Sequence, residues 1–280
     1  MKTRFAPSPT GPLHLGHAFS AITAYNLAQT ESGEFLLRIE DIDQTRARAD
    51  WEEQIYTDLK WLGLSWPDPV MRQSERQKTY EQVLDRLWND GLLFECDCSR
   101  RDIKEAASAP QEGGAPVIGA DGIVYPGTCR DKPRPARRPT LALRLNMAKA
   151  VARVPKVLKW AEFGEDGGVI EIATETLIEN IGDVVLARRD MGVAYHLAVV
   201  IDDAEQEISR VVRGADLQPA TPIHVLLQHL LNLPVPDYHH HRLIRDETGK
   251  RLAKRDDARA IGKYRDDGFS PNEIRNLIGF

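Results

Sequence analysis

No stretch of this sequence comes near the run of about 20 apolar residues that a membrane-spanning helix needs. MKTRFAPSP at its start lacks the apolar core of a signal peptide. We therefore expect neither a spanning helix nor a secretory leader. Cysteine is scarce as well: three residues, an odd number, are too few for a secreted disulfide framework and point to a reducing cytoplasm. A basic balance is also missing. The net charge of −5 argues against a general nucleic-acid coat protein, yet leaves room for a local basic patch. No internal repeat is visible, and no histidine occurs between His17 and His196.

What is present is an ordinary globular make-up. At 280 residues, 42% hydrophobic and 28% charged, the chain can bury a sizeable core in one large domain or two interleaved ones. TRFAPS (Thr3 to Ser8) reads as a short strand stopped by Pro7 and Pro9. Leu15 to Gln29 carries apolar residues at roughly helical spacing with Gly33 as a stop, and EFLLRIEDID returns as a second strand. Strand, loop, helix, strand is a right-handed crossover unit, which predicts an α/β fold with a parallel sheet covered by helices.

Such sheets bind ligands beyond the carboxyl ends of their strands. The Pro-Gly loop before His14 and the acids Glu40, Asp41 and Asp43 both follow strands, so both land on that edge. His14 and His17 flank Leu15 and Gly16, and admit three readings: zinc, phosphate or a stiff loop. The helix N-terminus, with its partial positive charge and unpaired N–H groups, favours phosphate.

Further along, two helices end at Gly63 and Gly91. Residues 96–139 hold all three cysteines, many Gly and Pro, and the basic run RDKPRPARRP, and read as an insertion. Thiolates suit zinc, but Cys96, Cys98 and Cys129 supply only three of the four ligands a closed site needs, and no local histidine can be the fourth. From Ala173 the pattern reads as helical. GVAYHLAVVIDD is a buried strand or a helix start, and PATPIHVLLQHLLNL is a helix. The three histidines of YHHHRLIRD suggest metal, but alternate residues of a strand face opposite ways, so this segment is expected to be a strand.

RFAPSPTGPLHLGHA, with LRIEDID behind it, resembles the HIGH signature of class I aminoacyl-tRNA synthetases in its glutamyl-tRNA synthetase form. GKRLAKRDDA (Gly249 to Ala258) resembles the KMSKS loop of the same family, with Arg251 in place of the first lysine and Ala253 in place of the serine. The resemblance covers nearly the whole chain. It implies a class I synthetase Rossmann-type parallel sheet with an inserted zinc-containing, acceptor-binding-like subdomain. Because the sequence stops at Phe280, it also implies no anticodon-binding domain. The expected division is 1–95 for the first half of the nucleotide-binding domain, 96–190 for the insert, 191–245 for the second half, and 246–280 for the lysine loop and a helical end.

The resemblance also implies site residues. His14, Gly16, His17 and Lys254 would bind ATP, with His14, His17 and Lys254 catalytic. Arg4, Phe5, Ala6, Pro7, Ser8, Glu40, Tyr195 and Arg213 would bind L-glutamate, Glu40 through the ammonium and the arginines as rigid forks for carboxylate. Tyr125 would join Cys96, Cys98 and Cys129 around one structural Zn²⁺. Pinned in this way, the insert would hold Arg130, Lys132, Arg134, Arg137 and Arg138 near the cleft for RNA phosphates.

Val199 stands where the glutamyl enzymes usually show asparagine. That departure and the short length point to a branch of the family that activates glutamate with ATP and Mg²⁺ without tRNA. This branch passes the glutamyl group to queuosine at the wobble position of tRNA(Asp). Two alternatives stand beside it: a truncated glutamyl-tRNA synthetase charging tRNA(Glu), and a non-catalytic zinc-containing RNA-binding paralogue. A cytoplasmic monomer is expected.

Overall fold

Strand β1 (Lys2–Phe5) buries Thr3, Arg4 and Phe5 in succession. A computed structural model describes residues 1–108, 116–133, 141–164, 167–244 and 259–280. Helix α1 (Leu15–Thr30) is rich in alanine, the strongest helix former, and buries Ala18, Ala21, Ala24 and Ala28 beside Phe19 and Ile22. At Gly33 the chain turns against its own start: a Cβ there would lie 1.8 Å from the Met1 carbonyl oxygen. Strand β2 (Glu34–Ile39) then pairs parallel with β1, Phe35 opposite Thr3. The expected crossover unit is present.

Helix α2 (Ala49–Trp61) ends before Gly63, whose φ of +81° suits a residue without a Cβ. Strand β3 (Met71–Arg72) adds to β2 in parallel, and a short 3-10 turn (Gln73–Arg76) leads into α3 (Gln77–Asn89). Strand β4 (Leu93–Cys96) and helix α4 (Arg100–Ala107) follow, then a hairpin of β5 (Ile118–Gly119) and β6 (Gly122–Ile123). Strand β7 (Ala142–Leu145) and helix α5 (Met147–Val151) complete this stretch.

The region around Ala173 differs from the helical expectation. Strands β8 (Val157–Phe163) and β9 (Gly168–Ala173) form an antiparallel hairpin, and the helix that follows, α6 (Thr176–Asn180), is only five residues long. Gly182 (φ +71°) stops it, and the chain continues as β10 (Val185–Arg188), which buries Leu186 and Ala187, and β11 (Gly192–Val193). Strands β4, β7, β10 and β11 make one antiparallel sheet in the order β11-β10-β7-β4.

GVAYHLAVVIDD resolves as a helix, α7 (Tyr195–Glu205). Its residues 196–203 are all buried, as expected of a helix apolar on every side. Strand β12 (Arg210–Gly214), helix α8 (Thr221–Leu231), strand β13 (Asp237–His241), and helices α9 (Ile261–Asp266) and α10 (Pro271–Ile278) finish the chain. The triple histidine lies on a strand, as expected.

Strands β12, β13 and β8 pair in parallel, so part of the span 96–190 contributes to the sheet of the second half. Ser209 joins the halves: its N–H donates to the Lys2 carbonyl (3.0 Å), and its Oγ accepts from the Lys2 N–H (2.8 Å). The carboxyl ends of β1, β2, β12 and β13 thereby open on one edge. No helix among the described residues is long and apolar enough to cross a membrane.

Candidate active site

On that edge lies a cleft of about 680 Å³. It is lined by Arg4, Phe5, Ala6, Pro7 and Ser8 after β1, and by His14, Gly16 and His17 at the start of α1. Glu40 lines it after β2, Tyr195 at the start of α7, and Arg213 on β12. Every residue expected to bind glutamate therefore reaches one cavity, together with the three expected to bind ATP that lie among the described residues.

The start of α1 is held by the two imidazoles. His14 Nδ1 accepts from the Gly16 N–H (3.1 Å), and His17 Nδ1 accepts from the His14 N–H (3.2 Å). This is a reciprocal capping box made of histidines. With Nδ1 accepting, the proton of each neutral ring sits on Nε2. The rings pack at 3.8 Å between centroids.

Beside them, two guanidinium groups share one carboxylate. Asp203 accepts from Arg4 Nε (2.9 Å), Arg4 Nη2 (3.2 Å) and Arg38 Nη1 (2.8 Å), all buried. Burial alone would raise the Asp203 pKa; Arg4 and Arg38 overcome it and hold the group below its ordinary value. Arg38 also donates to Gln206 Oε1 (2.8 Å) and Glu40 Oε1 (3.3 Å). For Glu40 the balance falls the other way. Burial pushes its carboxyl up although Arg38 and Arg4 oppose it.

Arg213 is fixed on the opposite wall. Its Nε donates to His240 Nε2 (3.0 Å), Nη1 lies 3.0 Å from His224 Nδ1, and Nη2 donates to Thr221 Oγ1 (2.8 Å). The Tyr195 ring stands edge-on to His224 at 5.7 Å. Among its charged groups the cleft gathers the partly buried Glu40 and the two buried guanidinium groups of Arg4 and Arg213, a charge set that suits an amino acid with a second carboxylate.

The cysteines converge in the insert. Cys96, Cys98 and Cys129 place their sulfurs within 4.8 Å of one another. Tyr125 Oη lies 3.5 Å from Cys96 Sγ and 3.5 Å from Cys98 Sγ, while Cys98 and Cys129 are 3.5 Å apart. Around a tetrahedral zinc with Zn–S near 2.3 Å, two sulfurs stand about 3.8 Å apart, and a sulfur and an oxygen about 3.5 Å. The donor set fits such an ion. The Arg144 guanidinium stacks on the Tyr125 ring at 4.0 Å and holds the phenol in place.

Lys254 and the rest of the lysine loop lie outside the described residues, as do Arg134, Arg137 and Arg138. Arg130 is paired with Asp183 (2.8 Å) and Lys132 with Asp97 (2.9 Å). Sequence reasoning left out Arg38, Asp203, Thr221, His224 and His240. The paired acids at the end of VVIDD carry a signal for part of this set, because a buried Asp pair on an apolar helix calls for cationic partners.

The chain is similar to known proteins of one family. The family described as tRNA synthetases class I (E and Q), catalytic domain, matches residues 1–122 and 146–280. A glutamyl-Q tRNA(Asp) synthetase of Rhodobacter capsulatus is 60% identical over 100% of both chains. One of Nocardia farcinica is 41% identical over 98% of this chain and 82% of its own. A glutamate tRNA ligase of Elizabethkingia meningosepticum, solved in complex with its amino acid, superposes with a TM-score of 0.76 at 26% identity. That match covers 100% of this chain, which spans 60% of the ligase.

Proposed function

The chain belongs to the class I tRNA synthetases (E and Q), and from that membership we propose that it activates glutamate with ATP and transfers it to queuosine of tRNA(Asp). The observation that carries the reading is the relative named glutamyl-Q tRNA(Asp) synthetase, 60% identical along its whole length. The cleft supports it by gathering Arg4, Glu40, Tyr195 and Arg213 next to the α1 N-terminus.

In the first step the glutamate α-carboxylate attacks the α-phosphorus of ATP. The bond to the bridging oxygen breaks, and pyrophosphate leaves glutamyl-adenylate behind. Glu40 holds the α-ammonium, and Arg4 and Arg213 receive the carboxylates. The Nε2–H groups of His14 and His17 meet the triphosphate oxygens as charge builds, and Lys254 supplies a further positive charge to them. Mg²⁺ bound with ATP would add positive charge at the phosphates. In the second step a hydroxyl of the queuosine cyclopentenediol attacks the acyl carbon and AMP leaves. Positioning and electrostatics do the work, with no protein nucleophile.

Cys96, Cys98, Tyr125 and Cys129 would hold one Zn²⁺, whose contribution is to cross-link the Gly/Pro-rich insert. ATP and tRNA as substrates fit a cytoplasmic location. The test is pyrophosphate exchange with glutamate in the absence of tRNA, followed by transfer assays on queuosine-bearing tRNA(Asp) and on tRNA(Glu). Exchange without tRNA and transfer only to tRNA(Asp) is expected. Efficient charging of tRNA(Glu) would favour a truncated glutamyl enzyme, and no exchange would favour a binding protein.

A further inference from the structure

Arg213 is a donor at every nitrogen, and this fixes the protonation of its neighbours. His224 Nδ1, 3.0 Å from Arg213 Nη1, must accept, so the His224 proton is on Nε2. That nitrogen faces His196 Nδ1 at 3.0 Å, which must accept in turn. The His196 proton then sits on Nε2, 3.5 Å from Asp121 Oδ1 in the insert hairpin. On the other side, His240 Nε2 accepts from Arg213 Nε, so its proton lies on Nδ1 and is donated to Glu162 Oε2 at 2.8 Å. Each histidine that touches Arg213 is therefore neutral, and each is held in its tautomer by a chain that ends on a carboxylate.

We infer that His224 and His240 are positioning residues that aim Arg213 at the side-chain carboxylate of glutamate, and this rests on the function proposed above. Thr221 is the third acceptor on the same guanidinium. Three of its five N–H hydrogens are taken by these neighbours, which leaves one on each terminal nitrogen for the cleft. Two such donors hold both oxygens of a carboxylate, whereas a carboxamide offers only one acceptor atom. The acceptors behind Arg213 thus convert a flexible cation into a fork of fixed direction and set the preference for glutamate over glutamine. His224 is fully buried and held well below its ordinary pKa by burial and then by Arg213, consistent with a ring that only accepts on that side.

The experiment compares wild type with His224→Leu, His224→Asn and Thr221→Val in glutamate-dependent pyrophosphate exchange, with thermal unfolding recorded for each. His224→Leu removes the acceptor. We expect KM for glutamate to rise about tenfold or more, KM for ATP to stay within about twofold, and the preference over glutamine to fall. His224→Asn places Oδ1 where Nδ1 stood and should restore most of the affinity. Thr221→Val, nearly isosteric, should raise KM for glutamate about threefold or more, and it carries the test if His224→Leu does not fold. Wild-type exchange with unchanged glutamate KM in the variants overturns the inference. So does a joint rise of both KM values, or equal behaviour of the Leu and Asn variants. Wild type without glutamate-dependent exchange overturns instead the functional reading beneath it.

Discussion

Asp203 grips Arg4 across 199 residues of sequence, Oδ1 on Nε at 2.9 Å and Oδ2 on Nη2 at 3.2 Å, in a place closed to solvent. The same Oδ1 accepts from Arg38, so one carboxylate ties the end of α7 to β1 and β2. Removing it strands two buried cations beside the cleft.

Asp203→Asn should therefore cost about 3–5 kcal/mol of stability, read from urea unfolding at neutral pH. The pH dependence has a defined sign. Because the folded pKa lies below the ordinary 3.8, the wild-type advantage is complete above about pH 5 and is lost as pH falls through the folded value. The stabilities of wild type and variant should converge in acid. A constant gap down to pH 3 would contradict the assignment.

His240 works in the opposite direction. Burial, then Arg213, lowers its pKa to about 3, with His241 and His239 adding to the effect and Asp216 opposing it. Between about pH 3 and 6.5 the unfolded chain binds a proton here that the folded chain refuses, so stability rises with pH across that window. His240→Gln, which keeps an acceptor for Arg213, should flatten this slope. Stability measured at pH 4, 5.5 and 7 provides the check.

Lys254→Ala should slow adenylate formation about 100-fold or more while leaving ATP binding nearly unchanged, because its charge is used chiefly as pyrophosphate departs. Single-turnover rates with a parallel ATP titration separate the two effects. A rate within about threefold of wild type would remove Lys254 from the mechanism.

Cys98→Ser should lose bound zinc by elemental analysis and lower transfer to RNA far more than tRNA-free exchange. The residues proposed to bind glutamate and ATP line the cleft at the sheet edge, whereas the cysteine cluster lies in the insert. Equal losses in both assays would show that the insert also props up the cleft, for which the Asp121–His196 contact at 3.5 Å is the obvious route.

What could be read from the sequence was what neighbouring residues decide together. His14, Gly16, His17 and Glu40 follow strands at the first crossover, and their order alone puts them on the ligand edge; Arg4, inside β1, is marked only by the family resemblance. Cys96 and Cys98 are adjacent enough to announce themselves. Asp203, His224 and His240 gain their roles only when β1, β12, α8 and β13 meet, and no local pattern encodes that meeting. The β8–β9 hairpin is a different kind of miss. Leu158, Trp160 and Glu162 are buried while Val157, Lys159 and Phe163 are exposed, a period of two that is written in the residues themselves.

The histidine cap on α1 has a consequence for how these positions would behave under selection. Each imidazole would do two jobs with two different nitrogens: Nδ1 starts the helix, and Nε2–H is the donor left for the triphosphate in the reaction proposed above. His14→Asn could still begin the helix through its amide oxygen, but its side chain is too short to present a second donor at the Nε2 position. A library sorted for folding alone would keep such a change, and the same library sorted for turnover would discard it. Comparing the two survivor sets at His14 and His17 would reveal which nitrogen each pressure reads.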